Sequence, residues 1–247
     1  MGIPQTDAAQ TRQTRPSPDR PAPSHRRHLL YCQRRHPLAV SAGRLSALAD
    51  RLWHLFRRWK GDHLWAALND ALRILVRKDQ GKRSQPTAGM LDSQSVKSAG
   101  HGGPVGYDAG KRIRGRKRHL LVDTLGLVLG VVVTPADTTE RDGAKAVLRR
   151  VLRWLIWLRL LWADGGYTGA AFANWVKARR RTLAVQVVKR SDAVRGFKVL
   201  PRRWVVERTF GGLLHHRRWV RDYEQTISSA EAFVYIAMIR IQLRRLA

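Results

Sequence analysis

Leu160-Leu161-Trp162-Ala163-Asp164-Gly165-Gly166-Tyr167 is the stretch whose reading decides the fold. Four apolar residues end on an acid, two glycines follow, and a helical pattern begins near Ala170. A short apolar run of this kind fits a strand buried on both faces. The acid then stands at the strand's carboxyl end, where open α/β sheets place their ligands. Gly165 and Gly166 let the chain turn sharply and leave the carboxylate uncrowded. A plain strand end with a capping turn reads the same way. Two more acids in matching settings, Asp92 and Glu207, favour the functional reading.

Outward from this strand the pattern is α/β. Gly89-Met90-Leu91 leads into Asp92 as a first strand, and Gly-rich Lys97 to Ile113 reads as a loop. Arg118 to Asp123 and Leu127 to Thr134 read as a second and third strand around a turn at Thr124-Leu125-Gly126. Asp142 is the expected cap of a helix with Val147, Leu148, Val151, Leu152 and Leu155 on its apolar face. A helix over Ala170–Arg179, a strand over Thr182–Val188 and a mainly helical remainder from near Pro201 follow the Asp164 strand. The order βββαβαβα predicts a mixed sheet flanked by helices, with Trp154, Trp157 and Trp175 in the core.

Upstream, Trp53, Phe56, Trp59, Leu64, Trp65, Leu68, Leu72 and Leu75 recur at spacings near three and four, interrupted at Gly61-Asp62. That is an amphipathic helical pattern, and aromatics so spaced serve packing more often than base stacking. A polar linker over Lys78 to Thr87 separates it from the first strand. Residues 1–52 hold no period for long, apart from a short helix over Leu45–Leu52, and read as a basic disordered arm. The expected organisation is therefore 1–52, a helical segment 53–85 and an α/β domain 86–247.

The chain carries 47 Lys+Arg against 18 Asp+Glu in 247 residues, a net charge of +29. Such an excess points to a polyanion, and nucleic acid is the commonest. The single cysteine, Cys32, argues against a disulfide framework or a multi-cysteine zinc site. No apolar run approaches a membrane span and no secretory signal is evident, so a cytoplasmic protein without a membrane partner is expected.

Asp92, Asp164 and Glu207 are far apart in sequence and act together only if the fold gathers them. Gathered carboxylates suit Mg²⁺ or Mn²⁺, and two such ions can stabilise the attacking and leaving oxygens at phosphorus. Each acid also has an ordinary explanation: Asp92 capping a turn, Glu207 pairing with Arg203, and Asp123, which also ends a strand, standing as a rival.

The words around these acids resemble bacterial insertion-sequence transposases of the DDE type, in particular the IS-five group. Leu91-Asp92-Ser93-Gln94-Ser95-Val96-Lys97 is similar to the first catalytic motif, and Lys111 to Asp123 to the strand after it. Ala163-Asp164-Gly165-Gly166-Tyr167 is similar to the second motif, and Pro201 to Gly211 to the third, with Arg221-Asp222-Tyr223-Glu224 following. The resemblance covers roughly 53–247. It implies a ribonuclease-H-like fold, Asp92, Asp164 and Glu207 as the catalytic triad holding two Mg²⁺ or Mn²⁺ ions, and a structural role for Asp123. It implies DNA as partner, both terminal inverted repeats and target, at least a dimer on DNA, and a bacterial, nucleoid-associated setting. Lys111, Arg112, Arg114, Arg116, Lys117, Arg118, Arg202, Arg203, Arg208, His215, His216, Arg217 and Arg218 are the candidate DNA contacts. A nuclease that cleaves without joining, or a catalytically silent DNA-binding remnant, are the alternatives. The chain departs from the family at Gly212, where a tryptophan is usual, and at Leu214, where a Lys or Asn is usual.

The resemblance stops abruptly upstream of Trp53. Bases that encode His25 to Leu52 can, shifted by one position, encode family-like sequence running into Trp53. Residues 1–52 are therefore expected to be largely an out-of-frame translation, and this copy to be impaired.

Overall fold

A computed structural model describes residues 42–99, 103–188 and 204–247. They fall into two units divided between Trp53 and His54. Helix α1 (Ala42–Gly61) starts well before the expected boundary at Trp53, so the short helix expected over Leu45–Leu52 is the beginning of a longer one. The rest of the expected arm lies outside the described residues.

In the second unit α1 ends at the predicted break: Asp62 and His63 form a turn, with His63 in the left-handed region at φ 54°. Helix α2 (Leu64–Asp79) follows, and the aromatics close on one another, Phe56 stacking on Phe233 at 5.1 Å and Trp59 meeting Trp65 edge-on. Next come β1 (Ala88–Lys97), β2 (Gly106–Asp108), β3 (Ile113–Asp123) and β4 (Val128–Pro135). After α3 (Glu140–Val151) and β5 (Leu160–Ala163) a single 3₁₀ turn leads to α4 (Ala170–Arg179) and β6 (Ala184–Val187). Helices α5 (Trp204–Leu214) and α6 (Ile227–Leu246) end the chain.

The six strands form one sheet. β3 is the antiparallel spine, with β1 along one edge and β2 and β4 end to end along the other. β5 pairs in parallel with β1, and β6 in parallel with β5. Alternate side chains feed two cores. Met90, Leu120 and Val122 face α2, α5 and α6, packing with Val76, Phe210 and Met238. Leu91, Leu121 and Val132 face α3 and α4, packing with Val147, Leu148, Phe172 and Val176. Burial on both sheet faces is why the strands read as continuous apolar runs.

Several expectations change. β1 continues through Asp92 to Lys97, so the acid lies within a strand instead of following one. The glycine-rich loop contains β2. Helix α3 ends at Val151, and the turn that follows buries Leu152, Leu155 and Leu158 but turns Trp154 and Trp157 outward, 64% and 51% exposed. Only Trp175 of the three tryptophans packs against a core, and it lies between Arg149 and Arg179.

Helix α3 is capped by Thr139, whose hydroxyl accepts from the Asp142 amide; Asp142 sits in the first turn instead of capping. The helix lies close to β3 because Gly143 faces the His119 ring. A Cβ on Gly143 would fall 2.1 Å from that ring. Gly143→Ala should therefore cost about 1–3 kcal/mol, as overpacked cores do. Chemical denaturation of the purified variant measures it.

Candidate active site

The parallel register of β1 and β5 brings two of the three expected acids together. Its last pair is Met90 with Trp162; Asp92 stands two residues further along β1, and Asp164 one residue past the end of β5. Both line one narrow cavity, with Met90, Leu91, Trp162, Ala163 and Val206. Val206 belongs to α5, and Glu207 follows it on the exposed side of that helix's first turn. Glu207 does not itself line the cavity.

Local turns orient the carboxylates. Asp92 Oδ1 accepts from the Ser93 amide at 2.7 Å. Asp164 caps the 3₁₀ turn, its Oδ1 accepting from the Gly166 amide at 3.0 Å. Tyr167, the end of the quoted stretch, is buried beneath them. Burial raises its phenol well above the ordinary value, and the negative charges of Asp92, Glu140 and Asp164 add to the effect. Carboxylate oxygens are the donors that Mg²⁺ or Mn²⁺ favours. Among the described residues no three His, Cys, Asp or Glu side chains gather tightly enough to enclose a metal ion.

Asp123 takes the structural role the resemblance implied. It is fully buried, paired with Arg77, and accepts from the Leu125 and Leu127 amides at 2.9 Å each.

The basic candidates divide. Arg116, Lys117 and Arg118 are a correction, because β3 carries them into the interior. Arg116 pairs with Asp222 at 3.0 Å and donates to the Glu224 and Gln225 carbonyls. Lys117 pairs with Asp108 at 3.3 Å. Arg118 stacks 4.1 Å above Trp219 and donates to its carbonyl, and burial lowers its guanidinium to about 10. Buried cations turned onto the protein's own groups offer no exposed face to a phosphate. Lys111, Arg112, Arg114, Arg208, His215, Arg217 and Arg218 are exposed, and His216 is half-buried. Arg218 is engaged by Glu224 at 2.7 Å. Arg202 and Arg203 lie outside the described residues.

Sequence reading missed two features. Arg240, Arg244 and Arg245 of α6 join Arg208 and His215 around a cavity of about 320 Å³. Gly212 forms part of its wall, and a Cβ there would meet only Ile241, at 3.7 Å. The basic spacing on α6 was the available signal. Glu140 was also missed, since an acid in a helix's first turn is expected on dipole grounds alone. Its Oε1 accepts from the Ser93 hydroxyl at 3.2 Å.

The family described as Transposase DDE domain matches residues 83–241. No curated protein matches the chain. Among solved structures, the catalytic core domain of BIV integrase is similar at 15% identity and TM-score 0.39, covering 62% of this chain and 81% of that one. The Mos1 transposase paired-end complex is similar at 11% identity and TM-score 0.28, covering 74% and 60%. The mixed sheet with helices on both faces is of the ribonuclease-H-like kind.

Two measurements test this assignment of buried charge. Arg116→Ala leaves Asp222 buried without its partner, and should cost about 3–5 kcal/mol in denaturant unfolding. Burial, then Lys117 and Lys111, lowers the His119 imidazole to about 4 from 6.5. The unfolded chain therefore takes up this proton first as pH falls, and stability drops from pH 6.5 towards 4. His119→Gln should flatten that part of a stability-against-pH profile.

Proposed function

Because this chain belongs to the transposase DDE domain family, we propose that it cuts and joins DNA at the ends of an insertion sequence of the IS-five group. DNA transposition is the family's activity class. The observation that carries the finer reading is that Asp92 and Asp164, just beyond the paired residues of β1 and β5, line one cavity with Val206 of α5.

Asp92 and Asp164 would hold a divalent cation, Mg²⁺ or Mn²⁺, with Glu207 of α5 serving a second. Such ions supply positive charge to the phosphate oxygens and to the attacking and leaving oxygens. The chain's own part is placement. The Ser93 and Gly166 amides hold the two carboxylates in fixed orientations before DNA arrives. Lys111, Arg112 and Arg114, at the start of β3 and just before it, and Arg208, His215 and Arg217, on and after α5, offer exposed contacts for the backbone. In the first reaction water attacks phosphorus at the element's end, the bond to the 3′ oxygen breaks, and that oxygen leaves as a 3′-hydroxyl. In the second the freed hydroxyl attacks a target phosphodiester, forming one P–O bond and releasing a target 3′-hydroxyl. Joining two ends to one target calls for at least two protomers on DNA, in the bacterial nucleoid.

A second reading is an impaired copy that binds DNA without acting on it. Gly212 favours it, because α5 lacks the aromatic side chain usual there and the basic cavity lies open beside it. The out-of-frame reading of 1–52 supports it too, and the nucleotide sequence of the gene tests that directly. Codons at Arg34–Pro37 that do not continue the shifted reading would remove this support.

Asp92→Asn and Asp164→Asn should each lower Mg²⁺-dependent nicking of element-end DNA on the order of 10²–10³-fold, as loss of a charge-stabilising group does. A pre-cut end separates joining from cleavage alone. No nicking by the unaltered protein favours the silent remnant. In binding assays Arg208→Ala should lower the log–log salt slope by about 1.

A further inference from the structure

The cavity between α5 and α6 is lined by Arg208, Arg240, Arg244 and Arg245, by His215 and His216, and by no acid. Arg240 and Arg244 are four residues apart on one face of α6, a spacing at which like charges weaken a helix. Arg208 meets them from α5, its guanidinium 4.9 Å from the Trp204 ring. Arg245 donates to the Leu125 carbonyl at 3.0 Å, which anchors its guanidinium. Burial, then the charge of Arg208, lowers that guanidinium from its ordinary value. Asp123 acts on it in the opposite sense, but Asp123 is buried and already paired with Arg77. Like charges gathered in this way destabilise a folded chain, and an anion between them reverses the sign.

The space itself is large enough to matter. At about 320 Å³ it reaches the range of small-ligand sites, roughly 300–1,000 Å³. Gly212 forms part of the wall, and a Cβ there would meet only Ile241, so a larger side chain would grow into this space. His216 adds an independent sign. Its Nδ1 lies 3.2 Å from the Leu213 carbonyl, which can only accept, so Nδ1 carries the ring proton. Nε2 is buried and has no hydrogen-bond partner among the described residues. Buried polar atoms are nearly always paired, and a second proton would let this nitrogen donate to an anion.

We propose that this cavity is a phosphate site, taking one phosphodiester of the DNA strand that passes Asp92 and Asp164. This rests on the reading of the chain as one that acts on DNA. Guanidinium groups match phosphate through paired N–H donors. Placement favours a phosphodiester over a free anion or an acidic peptide. Val206 lines the cavity of the two aspartates, and Arg208 and Thr209 line this one. At about 1.5 Å of rise per residue the two cavities are neighbours along α5, so a strand lying at one is carried past the other.

The test is binding of labelled element-end duplex by the full chain over a series of salt concentrations, read by fluorescence anisotropy without divalent ions. Arg240→Gln with Arg244→Gln should weaken binding about tenfold or more at fixed salt. It should lower the log–log salt slope by about 1, since both arginines serve one phosphate; two independent contacts would lower it by about 2. Gly212→Leu should give the same loss with every cation intact, because its side chain occupies the cavity. Combining all three changes should add little, as expected of groups that share one site. A slope change near 2 in the arginine pair, or fully additive losses, overturns the single site. Unchanged DNA binding in the arginine pair or in Gly212→Leu removes the cavity's role and leaves the cleavage reading standing. Inorganic phosphate and polyglutamate, each titrated without DNA, separate the other sources: saturable binding that the variants lose while DNA binding is unchanged assigns the cavity to that probe's class and overturns the proposal. A duplex that the unaltered protein does not bind at all overturns the DNA reading, and the phosphate site with it.

Discussion

The parallel hydrogen bonding of β1 to β5 is the constraint on which the rest depends. Neighbouring strands in a sheet lie about 4.8 Å apart, whatever side chains they carry. Two aspartates at matching positions beyond the last bonded pair therefore open onto one cavity. Neither side chain can withdraw without breaking backbone pairing or leaving its own turn, since each accepts a hydrogen bond from the amide one or two residues on.

The antiparallel spine makes that placement rigid. β3 pairs with β1 from Gly89 to Lys97, spanning the position of Asp92. Its own charged side chains are tied down in turn. Arg116 reaches Asp222 and the carbonyls beyond it, Arg118 covers Trp219, and Lys117 reaches Asp108. Two of these contacts pin the segment after α5 to the sheet, where Ser98 and Asp222 form a further bridge. Buried ion pairs are poor evidence for stability, but they penalise every arrangement that separates the partners. Here they restrain the chain on the far side of the helix that carries Glu207.

This use of charge also bears on the surface. Only 18 acids accompany 47 Lys and Arg residues, and Asp108, Asp123 and Asp222 are committed to cations in or near the interior. The outer face is left with few acids to neutralise its arginines. The basic cavity between α5 and α6 is one result, with Arg208, Arg240, Arg244 and Arg245 sharing one opening. The basic run Arg114 to Arg118 looked in sequence like part of that face, yet most of it is internal. Charge type is visible in a sequence. Whether a charge meets water depends on what the rest of the fold brings over it.

The sequence by itself determined the order of strands and helices apart from β2, the break near Gly61 and the helix over Ala170–Arg179. Those features depend on neighbours in the chain: apolar runs, turn glycines and helical periodicity act over a few residues. The tertiary structure alone decided that Asp92 and Asp164 line one cavity, that Arg116 to Arg118 are interior, that Trp154 and Trp157 are exposed, and that Glu140 meets Ser93. Each of these is a contact between segments tens of residues apart, or the lack of one. It follows from sheet register and from how closely a helix can approach at a glycine, which no local pattern encodes.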